Sequence, residues 1–522
     1  MSRPVESAPA ERTASLKVLI ELRPALAGHA GIPQETRLLF NGLAHLSDVQ
    51  VHGLIQSSNR VLDPGLPAQP SRWRRKTSPD QQINRLSRVV VSMQEPGRRA
   101  FFEKVRNRLK TVSSPFVLAL SSVLGIAQRL SVFEPAHFRD FVWRTLFAKT
   151  LAAEDFERVT GAGFLVARLP YAAMHACGLL TRKLGWVCYP RLDTRGIDVF
   201  IGQTPYPATV AKSTRLVIRY FDAVPLLMPH TIVDKSFHQA LHYGALRKNV
   251  ASGAWFACCS DATRRDLLAV FPEAESTAVT IPCMLSHHFY REESSHTRVA
   301  EILSKRFNER VGVTPVAGPA ARPLGTEADA LARPPIDYLL VVSTIEPRKN
   351  HETVLAAWEQ LRAEKYPDLR LVCVGGLGWD HEPIVRQFLP WIERGEAFLL
   401  ADVPPDELRL LYAHARATVC PSYAEGFGYS GVEAMRCGGA VAASDLPVHR
   451  EIYADAAEYF GPYSVAEAIV AIDRIIDPRQ MTRRQELIAA GAEVSARYLP
   501  DRILPLWAKF LRDSVVKQGA VG

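Results

Sequence analysis

Short apolar runs, each ending in a loop and followed by a helical pattern, recur along the chain. Residues 17–22 form such a run, glycines follow, and leucines then repeat at helical spacing from Leu38 to Leu46. The same order returns where residues 417–420 lead through two glycines into a second helical pattern. Strand, loop and helix in this order form the repeating unit of a parallel sheet covered by helices. The pattern therefore predicts an α/β protein.

These units fall into two groups, which predicts two domains. The first spans residues 16–290 and the second spans residues 336–490. Between them, residues 291–335 are rich in Pro, Ala and Gly without periodicity, and we interpret them as a linker that holds a disordered loop. The polar residues 1–15, rich in Pro and Ala, are predicted to be a disordered tail.

The regular pattern breaks over residues 57–158, which we interpret as a basic, partly helical insertion in the first domain. The whole chain carries a formal net charge of +9, and residues 60–110 alone hold thirteen Lys and Arg against four acids. Because the rest of the chain is close to neutral, no nucleic-acid partner is expected. Basic residues beside the apolar run that begins at Pro115 favour contact of residues 60–130 with an anionic membrane surface. A solvated basic loop above a buried helix is the alternative.

The composition is typical of a globular protein, with 47% hydrophobic and 22% charged residues. No apolar run reaches the length of a membrane span, and the N-terminus lacks the apolar core of a secretion signal. Cytoplasmic localisation is therefore expected, with peripheral attachment to the inner face of the membrane left open. The eight cysteines include no C-x-x-C pair, so we expect free, buried thiols and neither disulfides nor a zinc site.

The second glycine loop has the features of an anion site. Residues 424–444 read A-E-G-F-G-Y-S-G-V-E-A-M-R-C-G-G-A-V-A-A-S. Gly426 and Gly428 permit backbone angles at which successive amides turn toward an anion at the positive end of the next helix. A carboxylate would repel a diphosphate, so Glu425 and Glu433 are expected to point past it toward hydroxyl groups on either side, which is the layout of a nucleotide sugar. An ordinary strand-to-helix turn with two surface glutamates is the alternative.

The spacing of Glu425 and Glu433, with E-G-F-G inside it and E-A-M at its end, resembles the E-x7-E motif of retaining glycosyltransferases of family 4. The segment T-I-E-P-R-K-N-H, which contains Arg348 and Lys349, is similar to the E-P-x-K-N segment of the same family. The resemblance implies a GT-B fold, in which two Rossmann-like domains face each other across a cleft, here with the basic helical insertion in the N-terminal domain. It also implies that residues 491–522 form a helix that packs back on the N-terminal domain.

The resemblance further implies a donor site in the C-terminal domain. Arg348 and Lys349, just past a strand end, are expected to hold the diphosphate as the sugar–phosphate bond breaks. Glu433 is expected to accept the ribose hydroxyls, and Glu425 to hold sugar hydroxyls or stabilise positive charge at the anomeric carbon. The residues predicted to bind the donor are Ser343, Arg348, Lys349, Gly375, Gly376, Val403, Glu425, Gly426, Phe427, Gly428, Tyr429, Ser430 and Glu433.

On the N-terminal side, the family usually has His-Asp before an apolar, Pro-containing run, whereas this chain has Phe221 and Asp222. We predict that Asp222 takes part in catalysis with Glu425, Arg348 and Lys349; a capping role in the following turn is the alternative. The replacement of the histidine by Phe221 either shifts its task to Asp222 and His230 or indicates an altered sugar preference or weak activity. The residues predicted on the acceptor side are Gly28, Gly31, Ile32, Gln34, Arg37, His230 and Arg264.

The predicted reaction transfers a hexose, with mannose favoured, from a nucleoside diphosphate to a saccharide or lipid-linked saccharide in the synthesis of surface polysaccharide or lipopolysaccharide. GDP-mannose is the favoured donor because the segments E-P-R-K-N-H and V-G-G-L-G-W look most like those of mannosyltransferases. The resemblance implies retention of the anomeric configuration, and neither a metal nor another cofactor is expected. The alternatives are a nucleotide-sugar epimerase or hydrolase on the same fold, and a catalytically silent protein that binds nucleotide and a partner.

Overall fold

Each half of the chain is built around a mainly parallel sheet. The computed structural model describes residues 15–29, 31–68, 78–94, 101–182, 187–307 and 336–519. The strands are β1 (Leu16–Glu21), β2 (Val49–Ile55), β3 (Leu66–Pro67), β4 (Gln128–Arg129), β5 (Ser131–Phe133), β6 (Gly163–Val166), β7 (Leu192–Asp193), β8 (Val199–Gly202), β9 (Arg215–Tyr220), β10 (Trp255–Cys258), β11 (Ala278–Thr280), β12 (Tyr338–Val342), β13 (Arg370–Val374), β14 (Ala397–Leu400), β15 (Ala417–Cys420), β16 (Val441–Ser444) and β17 (Ala457–Phe460).

Helices connect the strands and cover the sheets. They are α1 (Ile32–Ala44), α2 (Pro79–Met93), α3 (Phe101–Val123), α4 (Arg139–Val142), α5 (Phe156–Thr160), α6 (Tyr171–Arg182), α7 (Val224–Leu227), α8 (Lys235–Ala251), α9 (Asp261–Val270), α10 (Thr297–Phe307), α11 (His351–Glu364), α12 (Glu382–Glu393), α13 (Pro405–His414), α14 (Tyr429–Arg436), α15 (Pro447–Tyr453), α16 (Val465–Ile476), α17 (Met481–Ala496) and α18 (Pro500–Gly519).

The strand order of both sheets is that of Rossmann-like domains. Within the described residues, the first sheet runs β11-β10-β9-β8-β1-β2-β6-β5-β3, and only β5 and β3 join it in antiparallel pairs. The second sheet runs β14-β13-β12-β15-β16-β17 and is parallel throughout. Parallel strands are covered by helices on both faces, which explains why the apolar runs are continuous. The predicted fold of two Rossmann-like domains is confirmed.

Parallel pairing decides where the polar loops lie. β12 pairs with β15, so the loops after these two strands leave the second sheet at the same edge. In the first sheet, β1 pairs with β8 and β8 with β9, so the loops after β1 and β9 also share one edge. Ligands in open α/β sheets bind at the carboxyl ends of the strands. The two edges therefore define where a site can form.

Helix α18 belongs to the first domain by its packing. Trp507 is fully buried in the same apolar cluster as Phe40 and Trp255 of the N-terminal half. Arg215 of β9 donates from Nε to the carbonyl oxygen of Ser514 at 3.0 Å. The chain thus returns to the first domain after it completes the second.

The insertion forms a long helix and adds strands to the first sheet. The basic run and the apolar run form one helix, α3, which continues through Pro115. Proline has no N–H to donate to the carbonyl oxygen of Thr111, and the hydroxyl of Ser114 donates to that oxygen instead at 2.7 Å. The insertion also contributes β3 and β5 to the sheet. No helix within the described ranges is both long and apolar enough to cross a membrane.

Several predicted segments lie partly or wholly outside the described residues. These are residues 1–14 of the tail, residues 69–77 and 95–100 of the basic insertion, residues 308–335 of the linker and residues 520–522 of the C-terminal segment. Residues 297–307, near the start of the predicted linker, form a regular helix, α10. Leu303 of this helix is buried in the C-terminal core. All eight cysteines are free, as predicted, and all but Cys188 are buried.

Candidate active site

Two loops of the C-terminal domain meet beside the carboxyl ends of β12 and β15. The side-chain amide of Asn350 joins them by donating to the carbonyl oxygen of Pro421 at 3.0 Å. The same amide donates to the carbonyl oxygen of Pro462, which follows β17, at 2.8 Å. Asn350 has a φ of 55°, which ends the turn Pro347–Lys349 and starts α11. Asparagine tolerates this left-handed conformation better than most residues do. The turn therefore presents its two basic side chains to the glycine loop.

Glu425 is surrounded by donors. The Nζ atom of Lys349 lies 2.5 Å from Oε1, the hydroxyl of Ser422 lies 2.6 Å from the same oxygen, and Nη1 of Arg348 lies 3.5 Å from Oε2. Burial opposes ionisation, but the charges of Lys349 and Arg348 outweigh it and hold the pKa of Glu425 well below its usual range. Glu425 is therefore a stable anion and a poor proton acceptor near neutral pH.

A second carboxylate, not predicted as a site residue, completes this cluster. Nη2 of Arg348 donates to Glu346 at 2.9 Å, and Nη1 donates to the carbonyl oxygen of Ala424 at 2.7 Å. The side chain of Glu346 is nearly buried, and burial raises its pKa despite the nearby cations. An anionic ligand must therefore displace Glu346 or Glu425 before it can pair fully with Arg348 and Lys349.

The glycine loop touches the N-terminal domain directly. The carbonyl oxygen of Gly426 accepts hydrogen bonds from the hydroxyl of Ser260 at 2.9 Å and from Sγ of Cys259 at 3.0 Å. A Cβ atom on Gly426 would lie 1.8 Å from the carbonyl oxygen of Phe221. Only glycine permits this approach, and Gly428, with a φ of 84°, then turns the chain into α14. The predicted order of strand, glycine loop and helix is confirmed.

Glu433 joins the two domains. Its Oε1 accepts from the side-chain amide of Gln34 at 3.1 Å, and its Oε2 accepts from the hydroxyl of Tyr412 at 2.9 Å. Burial raises the pKa of Glu433 to about 7, although both hydrogen bonds work in the opposite direction. Glu433 thus differs from Glu425, because its hydrogen-bond partners are neutral and its carboxyl group gains or loses a proton near neutral pH.

A buried ion pair anchors the first turn of α1 behind this contact. Nη2 of Arg219 lies 2.7 Å from Oε1 of Glu35, and both side chains are fully buried. Oε2 of Glu35 accepts from the hydroxyl of Tyr429 at 2.8 Å and from the backbone amide of Met284 at 3.0 Å. Tyr429 belongs to the C-terminal domain, so neighbouring residues Gln34 and Glu35 both reach across the domain boundary.

Asp222 caps a turn and also lies near the cation cluster. Its Oδ1 accepts from the backbone amide of Val224 at 3.0 Å, which is the predicted alternative of a turn cap. Asp222 also lies close enough to Arg348 that its charge contributes to a raised pKa of that arginine. The ring of Phe221 lies 5.4 Å from the guanidinium carbon of Arg219.

The other residues of the predicted donor site divide into two groups. Ser343 and Gly375 lie in direct contact, because a Cβ atom on Gly375 would come within 2.0 Å of the carbonyl oxygen of Ser343. A small cavity beside them is lined by Ser343, Ser422, Glu425, Gly428, Ser430 and His449. Gly376 accepts from the amide of Ile345 at 2.9 Å, whereas Val403 and Phe427 are buried in the core.

Two residues predicted on the acceptor side make contacts that stabilise the N-terminal domain itself. Arg37 is fully buried and donates to the carbonyl oxygens of Ala25 and Ala27, both at 2.7 Å, and of Gly28 at 2.9 Å. It therefore shapes the first glycine loop from behind, and burial lowers its pKa to about 10. Arg264 donates to the carbonyl oxygen of Ala278 at 2.9 Å and pairs with a glutamate, and both contacts stay within its own domain.

The remaining acceptor-side residues lie at the domain boundary. Gly31 caps α1 with a φ of 69°, and Ile32 is the first residue of that helix, two residues before Gln34. His230 is exposed, and the carbonyl oxygen of its neighbour Thr231 accepts from Nε1 of Trp379 in the other domain at 3.1 Å. Their contact with an acceptor stays a prediction.

Sequence reasoning missed the role of Arg219 and Glu346. Arg219 is a charged residue inside the apolar run R-L-V-I-R-Y, which is a signal for a buried partner. Glu346 stood in the matched segment E-P-R-K, but the spacing alone did not indicate which way its carboxylate points. Across the ranges that the structure describes, no group of three or more His, Cys, Asp or Glu side chains could hold a metal ion.

Two curated proteins are similar to about a quarter of this chain. A stretch of 128 residues, 24% of this chain, is 35% identical to 34% of the O-antigen chain mannosyltransferase B of Escherichia coli. A stretch of 135 residues, 25% of this chain, is 35% identical to 16% of the serotype-specific mannosyltransferase WbdA of the same organism. The match thus spans about a third or less of the curated relatives.

Solved structures match over nearly the whole length. The sucrose-phosphate synthase of Thermosynechococcus elongatus aligns with a TM-score of 0.53 over 96% of this chain and 98% of its own, at 14% identity. The N-terminal domain of the trehalose-6-phosphate phosphatase of Candida albicans aligns with a TM-score of 0.52 over 97% and 98%, at 10% identity. Residues 330–494 match the family model described as glycosyl transferases group 1. The fold is GT-B, and the C-terminal domain is similar to the glycosyl transferases of group 1.

Proposed function

We propose that the protein is a retaining hexosyltransferase that uses a nucleoside diphosphate sugar as donor. The observation that carries the proposal is the cluster of Arg348, Lys349 and Glu425, held beside a glycine loop at the carboxyl ends of β12 and β15. Fixed cations at this edge of a sheet suit the charge of a diphosphate.

In the proposed reaction, the bond between the anomeric carbon and the phosphate oxygen breaks, and its electron pair stays with the diphosphate. Arg348 and Lys349 stabilise the charge that grows on this leaving group, so side chains supply the cations that a metal would otherwise provide. The acceptor hydroxyl forms the new bond on the same face of the sugar, and its proton passes to the departing diphosphate. Because the pKa of Glu425 is so low, this carboxylate acts as a charge beside the anomeric carbon, not as the base.

Glu433 fits a role in recognising the nucleoside. Ribose hydroxyls donate hydrogen bonds, and Glu433 offers two carboxylate oxygens in a buried position at the start of the cleft. Donor binding would replace Gln34 as its partner and favour the ionised form. The proposal therefore includes proton release from Glu433 when the nucleotide binds.

Mannose is the favoured sugar, with GDP-mannose as the donor. The relatives named above are mannosyltransferases, two segments of this chain look most like that class, and the O-antigen in their names supports a saccharide or lipid-linked acceptor. A second candidate, a nucleotide-binding protein without transferase activity, is favoured by Phe221 alone, since an apolar ring stands where the family has histidine.

Release of nucleoside diphosphate tests the proposal. GDP-mannose and UDP-glucose are each incubated with the protein, with and without a bacterial lipid extract as acceptor source. Transfer predicts acceptor-dependent release of GDP and incorporation of mannose into lipid, and Arg348→Ala abolishes both. Acceptor-independent release indicates a hydrolase, and thermal stabilisation by GDP without any turnover indicates the silent protein; either result overturns the transferase.

A further inference from the structure

The outer face of α3 is apolar. Leu109, Val112, Phe116, Leu120, Val123 and Leu124 are each 57–65% exposed, and they repeat three or four residues apart along the helix and its last turn. We call these six residues the α3 ridge. Exposed apolar residues scattered singly are ordinary, but a continuous ridge of this size marks an interaction surface.

The inner face of the same helix carries one leucine between two small polar side chains. Ser114, Leu118 and Ser121 are buried, and α3 packs on α6 through this face. The serine hydroxyls are satisfied within the helix, since Ser114 donates to the carbonyl oxygen of Thr111 at 2.7 Å and Ser121 to that of Leu118 at 3.0 Å. A helix with one face in water shows the opposite pattern. Leu118 thus joins the core of this domain, whereas the exposed side chains of the α3 ridge have no function in that core.

We infer that the α3 ridge docks on an anionic lipid bilayer. Residues 101–130 carry Lys104, Arg106, Arg108, Lys110 and Arg129 but one acid, Glu103. An exposed apolar face on a helix whose sequence carries an excess of Lys and Arg is typical of helices that lie in the membrane interface. Each Lys or Arg near an anionic leaflet adds about 1 kcal/mol of attraction. A neutral protein groove would match the ridge but not this charge.

The ridge lies on the side of the domain where the site opens. The hydroxyl of Thr111 donates to the carbonyl oxygen of Asn59 at 3.5 Å, and Asn59 follows the carboxyl end of β2. The loops after β1 and β9 leave the sheet at that same edge. If the proposed transfer is correct, a lipid-linked acceptor reaches the cleft without leaving the bilayer on which the ridge rests.

Vesicle flotation tests the inference. The full-length protein is mixed, without nucleotide, with phosphatidylcholine vesicles that contain about 30% phosphatidylglycerol or none. The ridge variant Phe116→Asp/Leu120→Asp is compared with the control Val470→Asp/Met481→Asp, whose positions are exposed on the C-terminal domain. We expect the wild type and the control to float with anionic vesicles only, less so at high salt, and the ridge variant to bind at least about tenfold more weakly.

Three outcomes would overturn the inference. The first is equal flotation of the ridge variant and the control, and the second is wild-type binding that does not depend on anionic lipid. The third is a wild-type protein that ignores vesicles and forms a dimer that the ridge variant alone dissociates, because the ridge would then join two copies. Donor turnover with a water-soluble acceptor is measured in parallel, so loss of vesicle binding and failure of the proposed function are separate results.

Discussion

Lys349→Met removes one charge and keeps the length of the side chain. In the structure, the ammonium lies 2.5 Å from Glu425, and both side chains are only 15% exposed, so solvent screens the charge weakly. Removal of one preorganised donor that faces a developing anion costs about 3 kcal/mol in the transition state. At about 1.4 kcal/mol for each tenfold change, kcat is expected to fall about a hundredfold.

The same substitution also affects stability, and a second variant separates the two effects. Loss of the ammonium leaves Glu425 paired with Arg348 alone among the residues that the structure describes, so we expect a lower unfolding temperature. In Lys349→Met/Glu425→Gln the uncompensated carboxylate is gone, so stability returns while kcat stays low. The measurements are steady-state release of nucleoside diphosphate and thermal unfolding of each variant.

Lys365→Met is the matched control. Its Nζ also lies 2.5 Å from a carboxylate, that of Asp473 in α16, but Lys365 follows the C-terminal end of α11, whereas Lys349 precedes its N-terminal end. We expect wild-type kcat from this variant. A kcat for Lys349→Met within about threefold of the control would refute the assignment of Lys349 to the leaving group.

Three further substitutions test the domain boundary. Burial raises the pKa of Glu433 from 4.5 to about 7, so between these pH values the folded protein keeps a proton on Glu433 that the unfolded chain loses. The free energy of unfolding therefore falls by about 3 kcal/mol as the pH rises from 4.5 to about 7, and it is constant above that range. Glu433→Gln should remove this slope in urea unfolding followed from about pH 5 to about pH 8, and an unchanged slope contradicts the reasoning. Glu35→Gln leaves a buried arginine without its partner and should cost about 3–5 kcal/mol of unfolding free energy. Its control Glu275→Gln, which breaks a largely exposed pair, should cost under about 1 kcal/mol, and equal losses would show that burial is irrelevant. Gly426→Ala would clash with the carbonyl oxygen of Phe221, so small-angle scattering should report a larger radius of gyration with unchanged unfolding of each domain; an unchanged radius refutes the close approach.

Local signals predicted the elements that carry the site. The run at residues 417–420 and the glycines at 426 and 428 fixed β15, its loop and α14, because each of these depends on neighbours in sequence. The approach of Arg348 and Lys349 to this loop also followed from sequence, since the carboxyl ends of parallel strands share an edge. Their roles toward a donor stay predictions.

Contacts set by the tertiary fold could not be predicted in this way. Arg37 and Arg264 were both predicted on the acceptor side, yet each donates to backbone carbonyl oxygens of its own domain. Which carbonyl oxygens remain free depends on how distant segments pack, and spacing carries no information about that.

The return of α18 to the first domain has a consequence for biosynthesis. The cluster around Phe40 and Trp255 is completed only when Trp507 is inserted, and Trp507 leaves the ribosome after the whole second sheet has been made. The half that is translated first therefore finishes folding last. During this interval its unfilled apolar surface is exposed to chaperones and to other nascent chains.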